Sequence, residues 1–253
     1  MLASERQKEI LRLLSAKNII TIPDFVAEFQ VSIETIRRDL TLLEKQGFIQ
    51  KVYGGARLAE PLTSEPALAN RMISHLSEKE AIGKKCSEFI NDGDCIFLDS
   101  GSTTYQIAKN LSTKKNLTIL TNSLFIVNEL LPTDFELIII GGKIRHDERS
   151  VVTYDYIFNF SELNIQKSFL CAGGITAEKG ISDFNMHEAV TRKKIIERSK
   201  EIFIAADSSK FGRDVTVSIA PLEKINYLIT DNNLSTSDVV RFKGTSVSLV
   251  LAD

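Results

Sequence analysis

A short segment near the amino terminus constrains the fold of this chain more than any other. Ser32 can begin a helix there, because its hydroxyl can accept a backbone N–H bond in the first turn. Ile36, Leu40 and Leu43 then recur at i, i+4 and i+7, which is the spacing of a helix with one buried face. The other side chains would face outward, and they include two adjacent arginines: Glu34, Thr35, Arg37, Arg38 and Thr41. Adjacent arginines near a helix N-terminus suit phosphates and base edges, so we expect this helix to lie in a DNA groove.

The segments on either side of this helix predict a complete DNA-binding domain. Ser4, with Gln7 behind it, fits a capping box at the start of one helix, and Thr21 fits the cap of a second. Residues 51–57 read Lys-Val-Tyr-Gly-Gly-Ala-Arg, a glycine-centred hairpin that could contact phosphates. Three helices and a hairpin form a winged helix-turn-helix. The domain is predicted over residues 1–58, with DNA contacts from Ser32, Glu34, Thr35, Arg37, Arg38, Lys51, Tyr53 and Arg57.

Net charge alone does not establish DNA binding. Residues 1–57 contain nine Lys or Arg and seven Asp or Glu, a formal charge of +2, and the whole chain has a formal charge of -2. An ordinary solvated helix face is therefore the alternative interpretation of Arg37 and Arg38, and the helix caps and the hairpin count against it. Because one winged helix contacts few phosphates, we also expect a homo-oligomer, either a dimer or a tetramer.

The composition indicates a globular protein of two domains. The chain has 253 residues, of which 43% are hydrophobic and 25% are charged. No apolar run approaches the roughly 18 residues of a membrane-spanning helix, and no signal-peptide pattern is present. We therefore expect a cytoplasmic protein without a membrane partner. The three cysteines and three histidines are widely spaced, so we expect neither a metal site nor a cofactor.

Residues 59–75 are predicted to form a linker, because prolines and small polar residues interrupt the apolar pattern. Helices alternate with apolar strands over residues 76–253, and the strands are predicted at 95–98, 117–120, 137–140, 169–172, 202–206, 227–230 and 246–251. Continuous apolar strands separated by helices indicate a mostly parallel sheet that is covered on both faces. The predicted fold class is therefore α/β, with an N-terminal winged helix-turn-helix and a larger α/β effector domain.

Polar residues follow these strands at their carboxyl ends, the edge where open α/β sheets bind ligands. Glycines and hydroxyls that lead into a helix can hold a phosphate, because free N–H groups and the helix dipole attract an anion. Loops that only cap helices are the alternative interpretation. Asp207 and Lys210 could bind a ligand or form a structural salt bridge, and at least one of Glu188 and Lys193 could be a surface charge. The predicted effector-binding residues are Asp99, Ser100, Gly101, Ser102, Thr103, Thr104, Thr121, Asn122, Ser123, Gly141, Gly142, Lys143, Gly173, Gly174, Asp207 and Lys210.

Residues 4–57 resemble the DNA-binding domain of the DeoR family of bacterial repressors. The shared run extends from Val31-Ser32 through Thr35-Ile-Arg-Arg-Asp-Leu40 to Gly54-Gly-Ala56. The later half resembles the family's effector domain at residues 99–104, 121–123, 141–142, 173–175, 207–212 and 229–231. The resemblance implies an effector domain that is similar in fold to ribose-5-phosphate isomerase. It also implies that this domain senses a phosphorylated sugar.

Three features depart from the family pattern. Gln30 stands where Gly is frequent, and Tyr53 stands where His is frequent. Val151-Val152-Thr153 lacks a Gly that often follows the apolar pair, and residues 154–160 are unusually aromatic. Gln30 and Tyr53 bear on operator preference, and the segment of residues 151–160 bears on the shape of the sugar end of the pocket.

Two classes of function are compatible with these residues. The leading hypothesis is a transcriptional repressor of carbohydrate utilisation that releases operator DNA when a phosphorylated sugar binds. The competing hypothesis is a sugar-phosphate isomerase or deaminase, for which four carboxylates are available: Asp99, Asp183, Glu188 and Asp207. The sequence shows no His or paired-carboxylate motif of a deaminase, so we expect no enzymatic activity. A DNA-architectural protein without a ligand would leave the polar loops without a purpose.

Overall fold

Three helices with apolar stripes form the core of the amino-terminal unit. They are α1 (Ala3–Ala16), α2 (Ile22–Phe29) and α3 (Ile33–Lys45). Ile10, Phe25 and Ile36 are fully buried in one cluster, to which each helix contributes.

The computed structural model describes residues 3–17, 19–45, 48–58, 65–153 and 158–253, without the side chains of residues 4, 15, 16, 45 and 58. The chain divides into two compact units, Met1–Pro61 and Leu62–Asp253.

Local capping fixes where two of these helices begin. The Thr21 hydroxyl accepts a bond from the backbone N–H of Asp24 at 3.3 Å, which confirms the predicted cap of α2. The Ser32 hydroxyl likewise accepts the N–H of Thr35 at 3.2 Å. The prediction that Ser4 caps α1 is wrong, because α1 already includes Ala3. The Gln7 side chain, expected to reach back to Ser4, donates instead to Asp39, and this buried acceptor outcompetes an exposed helix end.

A small antiparallel sheet completes the winged helix-turn-helix and confirms that part of the predicted fold. Its strands are β1 (Ile20–Thr21), β2 (Ile49–Val52) and β3 (Gly55–Leu58), in the order β1-β3-β2. Gly54 turns the hairpin with a φ of +77°, which favours glycine. A Cβ at Gly55 would lie 2.3 Å from the carbonyl oxygen of Ile20, so only glycine lets β3 approach β1 this closely.

The carboxy-terminal unit contains six α-helices in its described residues. They are α4 (Leu68–Ile73), α5 (Leu76–Ser87), α6 (Ser102–Lys109), α7 (Leu124–Leu130), α8 (Met186–Arg198) and α9 (Thr236–Lys243). The strands are β4 (Cys95–Leu98), β5 (Thr118–Thr121), β6 (Glu136–Ile139), β7 (Lys143–Arg145), β8 (Ser150–Val152), β9 (Ile165–Leu170), β10 (Gly174–Thr176), β11 (Gly180–Asp183), β12 (Ser199–Ala205), β13 (Val217–Ala220), β14 (Tyr227–Asp231) and β15 (Ser248–Ala252).

Seven of these strands form one parallel sheet in the order β15-β14-β12-β9-β4-β5-β6. Ile82, Ile107 and Ile126 belong to the cluster on one face, so α5, α6 and α7 pack there. Ala189 and Phe242 belong to the second cluster, which places α8 and α9 on the opposite face. The predicted α/β class and the mostly parallel sheet are confirmed. The described helices include none that is long and apolar enough to cross a membrane.

The structure differs from the sequence prediction in several short elements. The sequence did not predict the antiparallel sheet β10-β11-β13, the hairpin of β7 and β8, or helix α9. Within the predicted linker 59–75, residues 68–73 form α4, whose Leu68 is buried. Residues 59–64 and 154–157, where parts of the linker and of the aromatic segment were predicted, lie outside the described residues.

Candidate DNA interface and effector site

The exposed face of α3 presents the two arginines that the sequence assigns to DNA. Arg37 and Arg38 are both exposed, and they line a shallow surface groove with Glu34, Thr41 and Leu42. Within the described residues, no hydrogen bond or ion pair holds either guanidinium. Both side chains are therefore available for phosphates or base edges.

A buried ion pair that sequence reasoning missed holds α3 against α1. The Arg6 guanidinium donates to the Asp39 carboxylate at 2.6 Å, and these side chains are 7% and 3% exposed. Gln7 donates to the other carboxylate oxygen of Asp39 at 3.0 Å. Because a buried charge is costly without its partner, this contact specifies one orientation of the recognition helix. The signal in the sequence was an acidic residue beside the apolar stripe of α3.

The wing of β2 and β3 is tied to the recognition helix by a residue that was predicted to contact phosphate. The Lys51 ammonium donates to the Thr41 hydroxyl at 2.8 Å and lies 3.1 Å from a Glu44 carboxylate oxygen. Arg57 donates twice to the Gln50 side chain, whereas Tyr53 is fully exposed at the hairpin tip. Lys51 is thus a positioning residue as well as a charge that DNA could approach.

The second candidate site is a cavity at the carboxyl edge of the parallel sheet. It lies where β4, β9 and β12 end and α6 begins, and its volume is about 40 Å³. Its polar and charged lining comes from six segments of the chain: Glu65, Arg71, Lys79, Ser102, Thr103, Asp183, Arg192, Asp207 and Lys210. The cavity is therefore assembled by the fold, and no single loop of the sequence contains it.

Asp207 supplies an ionised acceptor to this cavity. One carboxylate oxygen accepts bonds from the backbone N–H and the hydroxyl of Ser209, at 3.2 and 2.5 Å. The other oxygen is buried and has no hydrogen-bond partner. Burial acts to raise the pKa of the Asp207 carboxyl, but Lys210, Ser209 and Lys79 together hold that pKa below its ordinary value. A charged oxygen without a partner at a cavity wall favours a ligand that donates a hydrogen bond.

Two lysines supply positive charge to the same cavity. The Lys79 side chain is nearly fully buried, and its ammonium donates to the carbonyl oxygens of Arg71 and Ser74 at 2.5 and 2.7 Å. Burial lowers the pKa of Lys79. These two hydrogen bonds use two of the three protons of the Lys79 ammonium. The Lys210 ammonium has no hydrogen bond or ion pair with any described residue, although its charge acts on Asp207. Lys210 is the cation that an anionic ligand could engage without breaking a contact.

The N-terminus of α6 adds backbone donors. Gly101 precedes the helix and makes no side-chain cap, so the N–H groups of the first turn lack a side-chain acceptor. Ser102 and Thr103 line the cavity, and neither hydroxyl bonds to another described residue. Free N–H groups, a helix dipole and two hydroxyls together form an anion-binding arrangement.

Several predicted effector residues lie beside the cavity but are already committed to the fold. Asp99 accepts bonds from Arg192 at 2.6 Å and from the N–H of Cys171 at 3.0 Å. Thr104 donates to the carbonyl oxygen of Asp99, and a Cβ at Gly101 would meet the Cys171 sulfur at 2.2 Å. These residues hold the loop in place because their polar atoms are bonded within the loop, to α8 and to the end of β9.

The remaining predicted residues are distributed around this loop. Thr121 donates to Leu98, and Ser123 caps α7. Ser100 receives a bond from Asn122 and lies near Glu188, away from the cavity lining. Of the glycines, Gly173 lines the cavity and Gly174 lies in β10. The structure does not bring Gly141, Gly142 and Lys143 to the cavity. All three are exposed, with the glycines between β6 and β7 and Lys143 at the start of β7.

Sequence reasoning missed the charged residues on apolar helix faces. Lys79 lies three residues before Ile82 and seven before Cys86, so it falls on the buried stripe of α5. Arg192 stands in the same way between Ala189 and Ile196 on α8 and bridges Asp99 and Asp183. A charge on a buried stripe was the available signal.

Glu188 and Lys193 differ in burial, as the sequence suggested. Glu188 is buried and accepts bonds from Arg145 at 2.8 Å and Ser150 at 2.6 Å, whereas Lys193 is exposed. Only one of the pair is therefore a surface charge. Among the described residues, no group of His, Cys, Asp and Glu is arranged to hold a metal ion.

Comparisons with known proteins define the class of this protein. The family model of the DeoR-like helix-turn-helix domain matches residues 6–61, and that of the DeoR C-terminal sensor domain matches residues 74–232. The chain belongs to the DeoR family of DNA-binding transcriptional regulators. The resemblance stated from the sequence is thereby confirmed.

Curated relatives match over nearly the whole chain. The chain is 36% identical over 230 residues to the HTH-type transcriptional regulator IolR of Bacillus subtilis (strain 168), covering 90% of this chain and 91% of that protein. It is 32% identical to the glycerol-3-phosphate regulon repressor of Escherichia coli (strain K12), covering 91% and 92%. It is 29% identical to a putative aga operon transcriptional repressor of Escherichia coli O157:H7, covering 98% and 93%.

Solved structures resemble part of the chain. Ribose 5-phosphate isomerase A of Methanocaldococcus jannaschii aligns with a TM-score of 0.42 and 14% sequence identity, over 55% of this chain and 56% of that chain. Ribose 5-phosphate isomerase of Plasmodium falciparum aligns with a TM-score of 0.40 and 15% identity, over 53% and 52%. The likeness is confined to about half of each chain.

Proposed function

We propose that this regulator is a repressor of a carbohydrate-utilisation operon and that a phosphorylated sugar releases it from operator DNA. The proposal rests on one cavity that combines the α6 N-terminus, the uncommitted Lys210 ammonium and an ionised Asp207 with a free oxygen. The N-terminus and the ammonium would bind a phosphate, and the carboxylate would accept a bond from a sugar hydroxyl. Two relatives are named for glycerol 3-phosphate and for the aga operon, which agrees with this effector class.

We also propose that the cavity performs no catalysis. Asp99 and Asp183 are both paired with Arg192, so neither carboxylate is free to remove a proton. Asp207 is free at one oxygen, but its lowered pKa makes it a weak base at neutral pH. Relatives named as transcriptional regulators support the same conclusion.

The remaining parts of the proposal concern the DNA-bound form. Residues 1–58 would form the DNA-binding domain in the cytoplasm, with Arg37 and Arg38 in the major groove and the wing beside the phosphates. A homodimer or homotetramer would supply the second half-site that one winged helix lacks. The effector domain would include residues from Glu65 onward, because Glu65 and Arg71 already line the cavity.

Calorimetry on the full chain tests the effector class. Ribose 5-phosphate, glucose 6-phosphate, glycerol 3-phosphate and the matching unphosphorylated compounds are titrated separately. We expect at least one phosphorylated compound to bind about 100-fold more tightly than its free counterpart, since charge-assisted bonds to the phosphate are the strongest contacts on offer. Equal affinity for a sugar and its phosphate would contradict the proposal.

A further inference from the structure

The structure points to a wall of the effector cavity that must open for a ligand to enter. We propose that residues 65–74, called here the strap, close the cavity and that the effector holds it open by drawing the Lys79 ammonium away from the strap carbonyls. This inference rests on the proposed effector site. It assigns to the strap the step that connects ligand binding to the DNA-binding domain.

The size of the cavity requires movement. A cavity of about 40 Å³ holds roughly one water molecule. Pockets for small organic ligands have volumes of about 300–1,000 Å³. The site in this conformation is therefore too small to enclose a phosphorylated sugar, so we infer that one wall moves when the ligand binds.

The strap is the weakest wall. Another part of the lining comes from the ends of β9 and β12 in the central sheet, where Phe169 and Phe203 are fully buried. Within the strap only Leu68 is buried. Few apolar contacts hold it, so its displacement costs less free energy than movement of the sheet.

Polar contacts hold the strap closed instead. Arg71 forms an ion pair with Glu148, and Glu65 lies 2.9 Å from Arg145. Lys79 donates to the carbonyl oxygens of Arg71 and Ser74, as described above. The strap is followed directly by His75, whose φ of +51° is strained for a residue with a Cβ. A strained residue at the end of a weakly packed segment is suited to act as its hinge.

An anionic ligand competes directly with these contacts. A bond from an ammonium to a phosphate oxygen is stronger than its bond to a neutral carbonyl, so phosphate in the cavity draws Lys79 away from the strap. The strap then loses two of its anchoring bonds. Only residues 59–64 separate Leu58 of β3 from Glu65, so the strap is the part of the effector site that is nearest in sequence to the winged helix.

The test compares two charge-neutralising variants of the full chain. Glu148→Gln removes the carboxylate partner of Arg71 that lies outside the strap, and Glu178→Gln removes the partner of Arg241 on the exposed surface. Inorganic phosphate is titrated by calorimetry, and hydrogen exchange is measured at the backbone N–H groups of residues 65–74. Lys210→Ala is titrated in parallel as a test of the cavity itself.

We expect Glu148→Gln to bind phosphate about 5- to 10-fold more tightly than the unaltered chain, because a larger fraction of molecules is open before binding. Exchange in the strap should rise by a similar factor, and Glu178→Gln should change neither quantity. Unchanged or weaker phosphate binding by Glu148→Gln, while Lys210→Ala abolishes binding, would overturn the strap and leave the effector site standing. Undiminished phosphate binding by Lys210→Ala, or none by the unaltered chain, would overturn the effector site and the strap with it.

Discussion

The two candidate sites of this chain use charge in opposite ways. On the recognition helix, Arg37 and Arg38 are exposed and make no ion pair within the described residues. At the effector cavity, Arg71 and Arg192 are each bound to two carboxylates, and Lys210 is the lining cation that has no direct partner among the described residues. Exposed arginines on a DNA-binding surface are solvated by water when no DNA is bound. Buried charges at a ligand site need partner charges within the protein even when no ligand is bound.

This difference gives four predictions, of which the largest concerns the buried exception within the DNA-binding domain. Asp39→Ala should lower the free energy of unfolding of the DNA-binding domain by about 3–5 kcal/mol, since it removes one member of a buried ion pair. Hydrogen exchange at the α3 amides measures this. Glu34→Ala, an exposed acid on the same helix, is the control and should leave exchange unchanged. Similar effects in both variants would mean that the Arg6–Asp39 pair is not structural.

The exposed arginines should affect binding without affecting folding. Arg38→Ala should cost about 1–3 kcal/mol of operator affinity if the guanidinium makes a bidentate base contact. Binding is measured by fluorescence anisotropy on DNA from the protein's own promoter region, with melting temperature as the folding control. If Arg38→Ala and Arg37→Ala both bind normally, α3 is not the recognition helix.

Two neighbouring threonines should separate ligand binding from folding at the effector site. Thr103→Val should weaken effector binding about 10-fold and leave stability unchanged, because Thr103 lines the cavity and its hydroxyl has no partner in the part of the chain that the structure describes. Thr104→Val should cost about 1–2 kcal/mol of stability, because its buried hydroxyl donates to Asp99 and Gly101. Calorimetry and thermal unfolding of both variants give the two readings. The reverse pattern would mean that Thr104 contacts the ligand.

The smallest effect is expected where the chain departs from its family. Gln30 ends α2 with a φ of +52°, the left-handed region in which glycine is not strained. Gln30→Gly should therefore stabilise the DNA-binding domain by about 0.5–1 kcal/mol. Gln30→Ala keeps the strain and should give no such gain in thermal unfolding. A gain from alanine as large as that from glycine would exclude the backbone explanation.

The same comparison explains what the sequence could predict. The winged helix-turn-helix depends on caps and spacings within a few residues, such as Thr21 with Asp24 and the Ile36, Leu40 and Leu43 stripe, and these are visible in the sequence. The parallel strands were equally visible as short apolar runs. Gln30 was noted as a departure, and its left-handed backbone explains why glycine suits that position.

The effector cavity could be predicted only in part, because it depends on pairs distant in sequence. Arg192 meets Asp99 across 93 positions, and Arg145 meets Glu65 across 80. No local pattern specifies such contacts. The sequence therefore assigned Asp99 and Thr104 to ligand binding, whereas their polar atoms bond to other residues of the protein. The sequence did not predict the antiparallel sheet β10-β11-β13 for a similar reason, since β11 pairs with β13 across 33 or more residues of intervening chain.

The central claim is that occupancy of the cavity controls DNA binding. Operator affinity is measured as a function of the phosphorylated sugar that calorimetry identifies, for the unaltered chain, Lys210→Ala and Lys193→Ala, an exposed lysine that serves as the control. The unaltered chain and Lys193→Ala should lose about 5- to 150-fold in operator affinity at saturation, which is the usual range of coupling between two sites. Lys210→Ala should bind operator normally and show no such loss. A full ligand response in Lys210→Ala would contradict the account.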